Sequence, residues 1–325
     1  MPIPLTLPSD HVQTKPLTWL SANSARGNTS PAEPVSINGH SRLAVCKFSA
    51  ATLGSTELDN DSLAIEEPLQ LSIAWFSSTL QAYQQRELSL TMRTPGQDLA
   101  LTLGFLFSQN IISAISDVDD IQYQAVADDD SMFAHNHIEI KLAKGVELDW
   151  SQLQRNFASY SSCGLCGKSS VKALALRHQA NIDKASGWLD EKRVYQLPNL
   201  LRAQQVLYPE TGAVHGAGLY SAGQWLSIEE DIGRHNAVDK VLGQLLLKNI
   251  TACQTVLVLT GRVSFELMQK AVQASIPVVV AVGAPSSLAI AVAKQFDISL
   301  IGFTKAEQFN VYHAPWRIRN TKRNS

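Results

Sequence analysis

The feature that most restricts this chain is a set of short runs that are apolar on both faces through their centres: "TVLVLT" (255–260), "PVVVAV" (277–282) and "ISLIGF" (298–303). Two stretches of helical period separate them, "SFELMQKAVQAS" and "SSLAIAVAKQF". A strand that is apolar on both faces must be covered on both faces. Strands alternating with helices of 10 to 16 residues therefore predict a parallel sheet between two helical layers. The same texture begins earlier. "LPNLLRAQQVL" reads as helix, "TGAVHGAGLY" and "GQWLSIEE" as strands, and "GRHNAVDKVLGQLLLKN" as helix. Residues 197–315 are thus expected to form an α/β domain.

Upstream the period changes to two. Leu69, Leu71, Ile73 and Trp75 alternate with polar or small residues, as do Leu88, Leu90 and Met92, and Ile138, Ile140 and Leu142. These are half-buried strands. Between them "PGQDLALTLGFLFSQNII" opens with a turn and continues as helix. Residues 41–150 read as a smaller α+β domain, and 151–196 as a cysteine-bearing loop with a connecting helix. Residues 1–40, rich in Pro, Ser, Asn and Thr, read as a poorly ordered extension, and 316–325 as a solvated basic tail.

Composition narrows the partners. The chain has 325 residues, 45% hydrophobic, and a formal net charge of -2. No basic excess argues for nucleic acid, so an anionic ligand must be met by a local site. The longest apolar stretch, "IPVVVAVGAP", is too short to span a bilayer. The N-terminus lacks the basic start and apolar core of a secretory signal, which predicts a cytoplasmic protein.

Three strand-to-helix turns share a chemical character: "EEDIGRHNAVDK", "LTGRVSFE" and "VGAPSSLA". Each puts Gly with Arg or Ser where a helix starts and unpaired N–H groups suit phosphate. In a parallel sheet all three meet at the carboxyl edge of the strands. Arg234, His235, Arg262, Ser264 and Ser286 are the candidate ligand contacts. The plain alternative makes the serines helix caps and the arginines surface charges. His215, ahead of a strand of small residues, is a further candidate.

"SYSSCGLCGKSS" (159–170) holds Cys163 and Cys166 in a C-x-x-C flanked by glycines. A structural zinc site needs four ligands, and no second such pair exists in the chain. A three-ligand zinc site of the nucleobase-deaminase type would use His137, Glu139, Cys163 and Cys166. Against it, Ser162 stands where that motif has proline, and "HIEIKL" alternates so that His137 and Glu139 share the solvent face of a strand. Thioredoxin-type redox chemistry expects a strand just before the motif, where "NFASYSS" stands here. Glycines on both sides and Lys168 nearby favour a thiolate on a loop that picks up a group and delivers it.

Taken in order, "MRTPGQDLALTLGFLFSQNII", "CGLCG", "EDIGRHNAVDKVLG", "TGRVSFELMQKA", "APSSLA" and "GF…FNVY" resemble the formate dehydrogenase accessory sulfurtransferase family over roughly residues 42–315. The resemblance implies a C-terminal cytidine-deaminase-like α/β/α sandwich beside a smaller N-terminal α+β domain. It implies a cytoplasmic sulfur carrier that takes sulfur from a cysteine desulfurase as a persulfide. The sulfur then passes to the molybdenum cofactor with two molybdopterin guanine dinucleotides, which activates formate dehydrogenase. Cys163 would bear the persulfide and Cys166 would assist. The cofactor-binding stretch maps to Phe303, Thr304, Lys305, Ala306, Glu307 and Gln308, with no metal held by the protein itself. Guanosine diphosphate is the expected surrogate ligand and a homodimer the expected assembly, with no nucleic acid or membrane partner.

Overall fold

A computed structural model describes residues 39–48, 56–123, 136–148, 150, 153, 171–172, 174–175 and 180–319. Cys163, Cys166 and Lys168 lie outside the described residues, as do residues 1–38 of the extension expected over residues 1–40, whose last residue, His40, instead opens the first strand.

In chain order the elements are β1 (His40–Phe48), β2 (Thr56–Ala64), β3 (Glu67–Ser77), β4 (Ala82–Arg93), α1 (Asp98–Ser108), a 3-10 turn (Ile115–Asp117), β5 (Val118–Tyr123), β6 (His137–Leu142), β7 (Leu189–Asp190), α2 (Glu191–Arg202), α3 (Leu207–Thr211), β8 (His215–Ser221), β9 (Gln224–Asp231), α4 (Arg234–Leu247), β10 (Val256–Leu259), α5 (Phe265–Gln273), β11 (Val278–Ala281), α6 (Ser287–Phe296), β12 (Ser299–Gly302), β13 (Asn310–His313), a second 3-10 turn (Pro315–Arg317) and β14 (Ile318–Arg319). The protein is a mixed α/β structure, and residues 36–325 form one compact unit.

A four-stranded sheet runs in the order β4-β3-β6-β5, and a six-stranded one in the order β13-β12-β11-β10-β8-β9. In the first, Leu69, Leu71, Ile73, Ile138, Ile140 and Leu142 pack on Leu101, Leu103 and Leu106 of α1. The period-two runs are what put these side chains on one face. In the second, alternate residues feed two cores. Leu257, Leu259, Val279, Ala281 and Leu300 meet α4, α5 and α6, while Val256, Val258, Val278, Val280 and Ile301 meet α2. The runs are apolar throughout because both faces are buried.

The expected parallel sheet is only partly realised. β10, β11 and β12 are mutually parallel, but β8 is antiparallel to β10, β9 to β8, and β13 to β12. The reason is local. Only Ala222 and Gly223 separate β8 from β9, both with positive φ (46° and 90°). That is a two-residue hairpin, whereas a parallel crossover needs a dozen residues or more.

The tail also begins later than the sequence suggests. Arg317 is buried, donates to the Asp183 carbonyl oxygen at 2.6 and 3.0 Å and to Ser299 Oγ at 3.1 Å, while Ile318–Arg319 pairs with Leu189–Asp190. The guanidinium finds enough acceptors inside to leave water.

The two sheets are joined through α1 and α4. A methyl group added at Gly104 would overlap the Asp239 carbonyl, and one at Gly243 the Ala100 carbonyl. The backbones therefore touch where the helices cross. Lys270 Nζ reinforces the joint, donating to Asp239 Oδ1 at 2.7 Å, Asp239 Oδ2 at 2.8 Å and Ser108 Oγ at 2.9 Å. Arg93, also buried, grips Asp98 in the first turn of α1 at 2.8 and 2.9 Å and Asn136 at 2.8 Å.

Candidate functional site

β9 runs against β8 and β8 against β10, so β9, β10, β11 and β12 all point the same way. The turns after these four strands meet at one edge of the sheet, where β8 starts at His215. The hydrogen bonds record the meeting: Val282 N to Leu259 O at 3.0 Å, Gly283 N to Gly261 O at 3.1 Å, Phe303 N to Gly283 O at 3.2 Å and Thr304 N to Ala281 O at 3.1 Å. Gly283 is required there, because a Cβ would stand 2.8 Å from Gly261 O and 2.9 Å from the Arg262 Cα.

The turn after β9 is built from below. Asp231, fully buried, accepts from Gly233 N at 2.8 Å and Asn236 Nδ2 at 3.2 Å through Oδ1, and from Thr94 N at 3.2 Å through Oδ2. Lys240 Nζ lies 2.8 Å from Asp231 Oδ2 and also donates to the carbonyls of Thr94 and Glu230. Asn236 Nδ2 reaches Met92 O at 2.7 Å. Every buried charge in this network has a partner, as burial demands. Asp231, Asn236 and Lys240 of "EDIGRHNAVDK" thus hold the turn, while Arg234 and His235 are left at its top.

Arg234 and Arg262 make no hydrogen bond or ion pair with the described residues. His235 is mostly buried, and its Nε2 lies 3.4 Å from Ser264 Oγ. Burial, helped by Lys270 and Arg234, holds its pKa down at about 4. His215 is lowered too, first by burial and then by Arg234, with Asp231 opposing. Both imidazoles are therefore neutral at pH 7, each offering one N–H and one lone pair. Burial raises the Glu266 carboxyl, but the Ser264 hydroxyl, its own backbone amide, His235 and Arg234 outweigh this and hold it below the usual range.

The two serines differ. Ser286 Oγ accepts from Ala289 N at 3.1 Å and caps α6. Ser264 sits at the same position of α5 but makes no cap bond. Its hydroxyl turns to His235 and Glu266 and caps none of the first amides of α5, while the Glu266 carboxylate meets its own amide. The capping alternative holds for Ser286 and not for Ser264.

Phe303 to Gln308 follow β12 at this edge. Phe303 has φ 51° and is exposed, Thr304 is buried, and the next four residues are exposed in a turn closed by Lys305 N to Gln308 O at 2.8 Å. Thr304 Oγ1 is a buried hydroxyl oxygen with no hydrogen-bond partner among the described residues. Arg234, His235, Arg262, Ser264, Ser286 and Phe303–Gln308 thus share one edge. Glu266 and Lys270, which set the charge around His235, are absent from the residues singled out by sequence. Glu266 stands two positions after Ser264 in "SFE", which is the signal that was available.

His137 and Glu139 lie elsewhere. His137 Nε2 is 2.7 Å from Ser72 Oγ, and Glu139 Oε2 accepts from Gln85 Nε2 at 2.7 Å, on the outer face of the four-stranded sheet. A deaminase-type zinc site would need both freed from these bonds. Among the described residues no three His, Cys, Asp or Glu side chains gather as metal ligands. No described helix is long and apolar enough to cross a membrane.

The model of the FdhD/NarQ family matches residues 64–319. The chain is 40% identical to the sulfur carrier protein FdhD of Streptomyces avermitilis over 268 residues, 82% of this chain and 92% of that protein. It is 35% identical to the protein of the same name from Sulfolobus acidocaldarius over 274 residues, 84% of this chain and 97% of the other. A crystal structure from Desulfotalea psychrophila, of a candidate formate dehydrogenase accessory protein, superposes with a TM-score of 0.62. It covers 86% of this chain and 99% of that one at 23% identity, a likeness that speaks for the fold alone.

Proposed function

This chain belongs to the FdhD/NarQ family, and from that premise we propose that it is a sulfur carrier serving the maturation of formate dehydrogenase. The observation that carries the reading is the identity of 35–40% with relatives named sulfur carrier protein FdhD over more than four fifths of the chain.

In this reading the Cys163 thiolate attacks the outer sulfur of a persulfide on a cysteine desulfurase. One sulfur atom moves, the desulfurase regains its thiolate, and Cys163 becomes the persulfide. A persulfide is more acidic than a thiol, so it stays anionic at neutral pH and keeps its nucleophilicity. Cys166, three residues on, assists by exchange. The acceptor is the molybdenum cofactor with two molybdopterin guanine dinucleotides, bound as a substrate. Its pyrophosphate oxygens suit the sheet edge, where Arg234 and Arg262 form no ion pair with the described residues and the Ser264 hydroxyl does not cap α5. The neutral imidazoles of His215 and His235 add donors without competing for the anion. Thr304 Oγ1 offers a hydrogen bond to the ligand from inside the Phe303–Gln308 stretch. The cytidine-deaminase-like relationship of the six-stranded half, the cytoplasmic setting, the homodimer and the partnership with formate dehydrogenase belong to the same proposal.

Intact-mass measurement after incubation with a cysteine desulfurase and cysteine tests it. A gain of one sulfur atom, lost in Cys163→Ala, is expected. Stoichiometric zinc with no sulfur gained would overturn the reading in favour of a deaminase.

A further inference from the structure

A second feature lies on the far margin of the six-stranded sheet, on the free side of β9. A cavity of about 260 Å³ is lined there by Pro95, Gly96, Gln97, Gln204, Val206 and Leu207, with Ile228, Glu229 and Glu230 as its floor. The sheet edge runs along the cavity. The link between α2 and α3 forms one wall and the turn before α1 the other. Glu230 fixes the first wall, since its carboxylate accepts from the amides of Val206, Leu207 and Tyr208 at 2.7 to 2.9 Å.

Among the described residues the backbone of that floor is incompletely paired. Gly216 turns its N–H to Thr260 Oγ1 and its C=O to Thr260 N, away from β9. Its partner Glu230 therefore points its own backbone groups outward, and so does Ile228, two residues back in regular register. Lys240 takes the Glu230 carbonyl and Lys248 the Leu226 carbonyl at 3.2 Å. The Glu230 N–H and, between the two lysine contacts, the N–H and C=O of Ile228 remain directed into the slot. An edge whose flanking carbonyls are taken and which, among the described residues, is open only over Ile228 and the Glu230 N–H accepts one extended segment and no wider sheet.

The side chain beside this opening supplies the charge. Glu229 is half-buried, and among the described residues its one hydrogen bond is from Ser227 Oγ at 3.1 Å. Lys240 and Lys248 act on it only through space. Lysine or arginine opposite Glu229 on an added strand would complete a cross-strand pair.

We propose that the slot along β9 docks an extended peptide, which pairs its backbone with Ile228 and places a basic side chain opposite Glu229. This goes beyond the sulfur-carrier reading and does not depend on it.

The test uses the full chain, isotope-labelled, titrated with the capped peptide Ac-Thr-Val-Lys-Val-Thr-NH2. The Ile228 amide resonance is expected to shift and its hydrogen exchange to slow. Changing the peptide lysine to glutamate should weaken binding by about three- to fivefold, the range for a partly exposed ion pair. N-methylating the central amides of the peptide should abolish binding. Glu229→Gln should erase the preference for lysine while Ile228 still responds, and if that variant does not fold, the two peptides on the unaltered protein decide. No shift at Ile228 with millimolar peptide, equal affinity for both peptides, indifference to N-methylation, or shifts confined to the Arg234 and Arg262 region would each overturn the proposal.

Discussion

The underside and the rim of the turn after β9 are one stretch of sequence with opposite electrostatics. Below, Asp231, Lys240 and Asn236 exchange hydrogen bonds with one another and with Thr94 and Met92. Above, among the described residues, Arg234 makes no hydrogen bond or ion pair and His235 holds one long contact to Ser264. A buried charge must be paired to stay buried, whereas a charge at the surface can wait for a ligand. The motif "EDIGRHNAVDK" therefore divides into residues that make the turn and residues that the turn presents.

That division is open to direct test. Asp231→Ala leaves the Lys240 ammonium buried without its carboxylate. It should cost about 3–5 kcal/mol in denaturant unfolding. A loss below about 1 kcal/mol would mean that the underside is not a scaffold. His235 is next. Its folded value of about 4 lies below its ordinary 6.5, so the unfolded chain binds the proton more readily between the two. Stability should be full above pH 6.5, fall as pH drops, and have lost this contribution near pH 4, by up to about 3 kcal/mol. Unfolding curves of the parent and of His235→Gln across that window give the difference, and parallel curves would remove the group from the account.

The rim should behave the other way. Arg234→Ala and Arg262→Ala are expected to leave stability within about 0.5 kcal/mol. Each should weaken guanosine diphosphate binding about tenfold or more by calorimetric titration. Unchanged affinity in both would remove the rim as an anion site. The smallest effect separates the two serines. Ser286→Ala removes a helix cap and should cost about 1 kcal/mol in thermal unfolding. Ser264→Ala removes none and should cost less. Equal losses would erase the distinction between a capped and an open helix start.

Much of this arrangement could be read from the residues. The uniformly apolar runs predict strands covered on both faces, and β10, β11 and β12 are such strands. Gly-Arg pairs at strand ends predict an edge cluster, and Arg234 and Arg262 are at that edge. Direction was harder. Periodicity says that "TGAVHGAGLY" and "GQWLSIEE" are strands, but their mutual direction lies in the two residues between them, Ala222 and Gly223. Long-range pairing was harder still. Nothing near Lys270 in sequence announces Ser108, 162 positions away. Arg317 sits in a basic run that reads as solvated, and only the folded chain brings it the Asp183 carbonyl and the Ser299 hydroxyl. The cysteine motif, the most conspicuous signal in the sequence, lies outside the described residues, so its geometry adds nothing to its reading.

The crossing of α1 and α4 has a mechanical consequence. Two helices that touch through side chains can slide or roll, because rotamers absorb the motion. Here the backbone of each enters the other at Gly104 and Gly243, and a shift by a single residue would drive a side chain into a peptide group. The joint works as a keyway: it fixes the register of α1 against α4, and through them the four-stranded sheet against the helix that carries Arg234 at its start.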